Sequence, residues 1–199
     1  VTAFATVQEF ANHMQATVSN SAATLALNYA TARIQGACGQ MFTYVAADDV
    51  VLPGGDSLLV LPQRPVLSVA SVATTGYGET VPITQTLGST WMRSGGVLTW
   101  LGGSARLNGS PALPYLGYVW PASVRVVYEH GYATIPDDVK GCCMMLAAEV
   151  YTSPDGTHYE SIDDYAWRRG DAVSTPAALA LKALKTCYGQ GAHSVRLGR

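Results

Sequence analysis

Apolar positions recur at helical spacing near both ends of this chain and at strand spacing between them. Thr6-Val7-Gln8-Glu9 is a capping box, in which the Thr6 hydroxyl and the Glu9 carboxylate each satisfy a backbone N–H of the other. It predicts a short helix through about Gln15 that buries Val7, Phe10 and Met14. A longer helix is predicted from Ser19 or Ser21 to about Cys38, with Gly39 placed to stop it. On it Leu25, Tyr29 and Ala32 form one stripe, and Leu27, Ala30, Ile34 and Ala37 another. A helix that is apolar over more than half its girth is buried between layers or meets another subunit.

From Met41 the pattern becomes short runs of β-branched and aromatic residues, "MFTYVA", "DVVL", "SLLVLP", "VLSVASVAT" and "GVLTWL". Pro, Gly and Asp punctuate them, which predicts six to eight short strands over residues 41–129. In one of them Val66, Ser68, Ala70 and Val72 should face one side, and Leu67, Val69 and Ser71 the other. The last strand is "VRVVYEH", with Val124, Val126 and Tyr128 alternating with Arg125, Val127 and Glu129. Helical spacing then returns. Pro136 suits a first helical turn, Asp137 and Asp138 suit the positive end of the dipole, and Val139, Cys142, Cys143, Leu146, Ala147, Val150 and Tyr151 share a face. A polar loop is expected over 153–174, and a last helix from Thr175-Pro176 to Tyr188, ended by Gly189.

The predicted class is α+β. A small bundle of about four helices (residues 1–40 and 130–189) carries a large β-rich insertion (41–129) between its second and third helices. Residues 190–199, "QGAHSVRLGR", are predicted to form a flexible C-terminal tail without periodicity.

Composition narrows the partners. The chain is 48% hydrophobic and only 13% charged, with net charge −2. That charged fraction is about half the usual ~25% of a globular chain, so much of the surface should be hidden against copies of itself or a partner. There is no Lys/Arg run of a phosphate-neutralising protein, and no apolar run of the ~20 residues that span a bilayer. The start "VTAFATVQEF" has no basic or hydrophobic signal region and reads as a chain that has lost its initiator Met, used in the cytosol or in something assembled there. Cys38, Cys142, Cys143 and Cys187 show no CxxC or Cys/His spacing, so reduced buried thiols are expected rather than zinc.

Candidate chemistry is thin. His130, at the exit of a strand, has Glu129, Tyr132 and Asp137 near it in sequence, but Glu129 and His130 should point apart, which favours a packed turn histidine over a general base. Asp155, Glu160, Asp163 and Asp164 lack the alternation, central Gly and final Glu of a calcium loop and read as a solvated acidic loop. No GxGxxG, P-loop, GxSxG or HExxH occurs. Trp91, Trp100, Trp120 and Trp167 could form a sugar-binding face, but Trp100 and Trp120 lie in or beside strands and read as core. No catalytic, cofactor-binding or metal-binding residue is expected.

The order "FATVQEFANHM", "ARIQGACGQMF", "LLVLPQRPVLSVASV", "WPASVRVVYEHGYATIPDDVKGCCMMLAAEVY", then a helix and an Arg-bearing tail, resembles the head-to-tail connector (adaptor) proteins of long-tailed bacteriophages, the siphophages, especially those infecting actinobacteria. The resemblance covers roughly residues 4–151. It implies a non-catalytic virion protein of the neck, between capsid and tail. Its copies form a ring, usually of twelve, that binds the portal above and a stopper or tail-terminator protein below. Double-stranded DNA passes through the ring without sequence-specific binding. It further implies that the tail reaches into the portal, with Val195 and Leu197 in apolar pockets and Arg196 and Arg199 paired to acidic groups. The insertion of about ninety residues departs from the hairpin-sized one of minimal members. Two other readings stand beside it: a stopper or capsid-surface protein, and a small cytosolic carbohydrate-binding or enzymatic domain using Trp91, Trp100, His130 or the 155–164 loop.

Overall fold

The structure, a computed structural model, describes residues 2–76, 80–101, 119–153, 159–162, 165–168 and 175–189. The fold is α+β, with a run of strands between the second and third helices. The chain divides into two compact units, Val1–Gln40 with Thr134–Arg199, and Met41–Ala133.

Four helices are described in the first unit: α1 (Val7–Met14), α2 (Asn20–Cys38), α3 (Asp137–Thr152) and α4 (Pro176–Tyr188). Local sequence sets their ends. Glu9 N–H donates to the Thr6 hydroxyl at 3.2 Å while Thr6 N–H donates to the Glu9 carboxylate at 2.7 Å, completing the capping box. Gly39 closes α2 in the left-handed region at φ 66°. Pro136 stands at the N-cap of α3, one place ahead of the first turn the sequence suggested, because its ψ of 144° is extended. Thr175 caps α4 by accepting from Ala178 N–H at 3.2 Å.

The buried residues of this unit are mostly small. Ala23, Ala26, Leu27, Ala30, Ile34 and Cys38 of α2 are buried, as are Val139, Cys142, Cys143, Leu146 and Ala147 of α3 and Ala177 and Leu184 of α4. Small side chains let helix axes approach closely, and the largest side chains buried among the described residues of this unit are Phe4 and Phe10. Thr31, fully buried on α2, accepts from Phe4 N–H at 3.1 Å and lies 3.6 Å from Cys143 Sγ, so its hydroxyl is satisfied. Within the expected 153–174 loop the chain forms an antiparallel pair, β8 (Tyr159–Ile162) and β9 (Tyr165–Arg168), which the polar composition had concealed.

The second unit holds β1 (Val45–Pro53), β2 (Leu58–Val60), β3 (Val66–Thr75), β4 (Ile83–Thr84), β5 (Trp91–Ser94), β6 (Val97–Trp100) and β7 (Ser123–His130). They form two sheets, in the orders β1-β7-β3-β4 and β2-β6-β5. "MFTYVA" and "DVVL" do not make two strands: β1 starts at Val45 and runs through both to Pro53. Register shifts between Val66 and Ser68 and between Val69 and Ser71 break the simple alternation expected of β3. A bulge moves every later side chain to the other face. One cluster joins the inner faces: Leu59, Leu61, Val72, Trp91, Leu98, Trp100, Trp120, Val124, Val126 and Tyr128. After β7 the chain turns at Gly131, where φ is +92° and an added Cβ would lie 2.3 Å from the Thr43 carbonyl oxygen; only glycine fits.

Candidate functional site

His130 sits at the end of β7, 1% exposed, with its ring 5.2 Å from that of Tyr128. Its partner is none of the residues near it in sequence. Nε2 lies 3.3 Å from the Asp48 carboxylate on β1. Tyr128 also bonds to Asp48 and accepts from Gln63 N–H at 3.2 Å. With Nε2–H donating to Asp48, Nδ1 is a buried acceptor with no partner among the described residues. A second proton there would have nothing to donate to. Burial accordingly lowers the His130 pKa, against the opposing pull of Asp48, and burial raises that of Tyr128. The buried His130, held by Asp48 and packed on Tyr128, is a structural clasp. It ties β1 to β7 where the second unit begins and ends. Glu129 points the other way, as expected, accepting from the Tyr44 hydroxyl and, at 2.8 Å, from that of Ser68.

The thiols are also packing groups. Cys142 and Cys143 are 1% and 0% exposed, and burial, then the neighbouring Cys143, pushes the Cys142 thiol up to about 12. A thiol so hard to ionise is a poor nucleophile and a poor metal ligand. Cys38 is buried too, whereas Cys187 is exposed on α4, contrary to the expectation that all four lie inside. Among the described residues no group of His, Cys, Asp and Glu could hold a metal ion, and no helix is long and apolar enough to cross a membrane. Trp91, Trp100 and Trp120 are 3%, 8% and 1% exposed, so they form core and present no stacking platform. The side chain of Trp167, the acidic residues Asp155, Glu160, Asp163 and Asp164, and the tail residues Val195, Arg196, Leu197 and Arg199 lie outside the described side chains.

The surface is more informative than any cavity. An open cleft of about 650 Å3 beside α1 is lined by Val7, Ala11 and Val18 and by the amides of Gln8, Asn12 and Gln15, with no charged group among its lining residues. Large apolar side chains lie exposed on both units: Leu25, Tyr29 and Leu179 on helices, and Val51, Val60, Leu67, Ile83 and Met92 on strands. Sequence reasoning anticipated the stripe bearing Leu25 and Tyr29. It missed the outer face of the sheet β2-β6-β5, where Leu58, Thr99 and Met92 form one uncharged row and Val60, Val97 and Ser94 another. The pairing of β5 was not legible from so short a strand.

No family model matches the chain, and no curated protein matches it. Solved structures match its fold. A chain from the neck of an empty GTA particle computed with C6 symmetry aligns at TM-score 0.54 and 20% identity, covering 91% of this chain and 90% of that one. A chain from the neck of a native GTA particle computed with C12 symmetry aligns at 0.51 and 18%, covering 92% and 87%. A chain from the virion of the native gene transfer agent (GTA) particle aligns at 0.54 and 18%, covering 92% and 88%. Nearly the whole of this chain therefore shares its fold with chains of gene transfer agent particles, two of them from structures of the particle neck.

Proposed function

We propose that this chain is a structural, non-catalytic protein of the neck of a phage-like virion, of the head-to-tail connector (adaptor) type. The observation that carries the reading is the fold shared over 91% of the chain with a neck chain of a gene transfer agent particle. Its copies form a ring, taken to number twelve because one neck of this fold was computed with C12 symmetry. The ring joins the portal protein to a stopper or tail-terminator protein and lets double-stranded DNA pass. A net charge of −2 suits a conduit that must not hold DNA. The exposed apolar side chains on both units suit a subunit with neighbours on both flanks. The burial of His130 and of the Cys142 and Cys143 thiols is consistent with a protein that does no chemistry.

In this reading the C-terminal tail docks on the portal, Val195 and Leu197 filling apolar pockets and Arg196 and Arg199 pairing with acidic groups. The test is native mass, for the protein alone and mixed with the portal protein encoded beside it. A complex of about twelve copies on the portal is the expected result, and deletion of residues 190–199 should abolish it without disturbing the fold. A monomer that ignores the portal would overturn the neck assignment.

A further inference from the structure

We infer that the exposed stripe of α2 is a contact between copies of this chain, filled by a helix of the neighbouring copy; this rests on the ring reading above. The buried side of α2 carries Ala23, Ala26, Leu27, Ala30, Thr31, Ile34 and Cys38. Away from it, Ala22, Leu25, Tyr29, Ala32 and Gly36 are all exposed, Leu25 at 72% and Tyr29 at 50%. Their spacing is three, four, three, four. That is the a/d interval of a coiled-coil seam, which a second helix follows and which a strand or an extended peptide, with period two, does not. The seam runs about 21 Å along the helix at ~1.5 Å per residue.

Gly36 supplies an independent observation. A glycine inside a helix weakens it relative to alanine, yet a Cβ built at Gly36 would meet nothing within 4 Å among the described residues, and its φ is not positive. Neither the backbone nor internal packing calls for glycine there. Close approach by something outside the chain does. Ala22 and Ala32 likewise leave room on either side of Leu25 and Tyr29, so two large side chains project from the stripe between small positions that admit the side chains of a facing helix. The stripe itself carries no charge, and Arg33 is its only charged neighbour on that side of α2. Such a surface does not suit nucleic acid or a strongly charged partner. In a ring each subunit meets a copy of itself on both flanks, so an apolar helix face of this kind has a ready occupant.

The experiment measures the mass of the full chain by light scattering, alone and with the portal protein, for the wild type and for Leu25→Glu, Gly36→Leu and Thr24→Glu. Thr24 is exposed on the side of α2 away from the stripe. Gly36→Leu adds bulk where the chain has space and improves helix propensity, so it preserves the fold while blocking close approach. The expected result is a wild-type multiple of 21.0 kDa, reduced to the monomer by Leu25→Glu and by Gly36→Leu and unchanged by Thr24→Glu, with helicity retained throughout. Rings that persist in both stripe variants overturn the inference and leave the ring reading intact. Rings that form but no longer load on the portal assign the stripe to the portal and overturn it too. A wild type that stays monomeric in both settings removes the ring reading, and this inference with it.

Discussion

The two units are held together by different kinds of core. The helical unit buries alanines and cysteines in the contacts of α2 with α3 and α4, while the β unit closes on Trp91, Trp100, Trp120 and Tyr128. Helices that pack through small residues have no spare volume between them. Sheets joined by large aromatics depend on a few side chains that fill the space between their faces. The helical unit should therefore be broken by adding atoms, and the β unit by removing them.

The largest expected effect is in the β unit. Trp120 is 1% exposed, its ring 4.8 Å from that of Trp100, and its indole N–H donates to the Leu98 carbonyl at 3.3 Å. Trp120→Ala should cost about 3–5 kcal/mol, read as a fall in the urea midpoint of tryptophan fluorescence. An unchanged midpoint would show that the aromatics are not the core of this unit. The converse test is Ala30→Leu, at a position with 0% exposure on α2. Overpacking there should cost about 1–3 kcal/mol, and a neutral result would mean the helices can separate to admit it.

Acid should act next, through the β unit. Because burial lowers the His130 pKa, the unfolded chain takes up a proton that the folded chain resists. Stability from this group is complete above the unfolded pKa of about 6.5 and is lost as pH falls below it, by at most about 1.4 kcal/mol per pH unit. His130→Gln should flatten that slope between neutral pH and pH ~5 in fluorescence-monitored unfolding. A slope that survives the substitution would assign it to other groups.

The smallest effect concerns the α1 cap. Thr6→Ala should cost about 1 kcal/mol, seen as lost helicity. Glu9 is held at about 2 by the Thr6 backbone N–H, then by Lys140 and the Thr6 hydroxyl, so the cap persists as pH falls through the ordinary carboxylate range and loosens only as it approaches that value. Helix loss already complete at pH ~4 would contradict the geometry.

Helix ends were legible because each is a local event. The box Thr6-x-x-Glu9, the stop at Gly39 and the pair Thr175-Pro176 act over three or four residues, and the structure places all three as read. Placing Cys142, Cys143, Trp100 and Trp120 inside was legible for a similar reason, since periodicity and side-chain chemistry agree. The partner of His130 was not legible. Asp48 reaches it only because β1 pairs with β7 across a register shift between Val45 and Asp48, and a bulge leaves no mark that alternation would reveal. The same holds for Arg125, whose guanidinium meets Asp49 across the sheet at 2.8 Å. The β8–β9 pair escaped because polar strands lack the apolar alternation by which strands are read.

The sequence by itself determined the α+β class, the helix boundaries, the position of the strands between α2 and α3, and the two apolar stripes of α2. Each is written in short-range spacing and in residues with strong backbone preferences. Tertiary structure alone decided the strand orders β1-β7-β3-β4 and β2-β6-β5, the clasp of His130, Asp48 and Tyr128, and which stripe of α2 is spent inside the subunit and which is left facing out. Those outcomes depend on loop closures and register choices between distant segments. Many such pairings have nearly equal local merit, and only the packing of the whole core separates them.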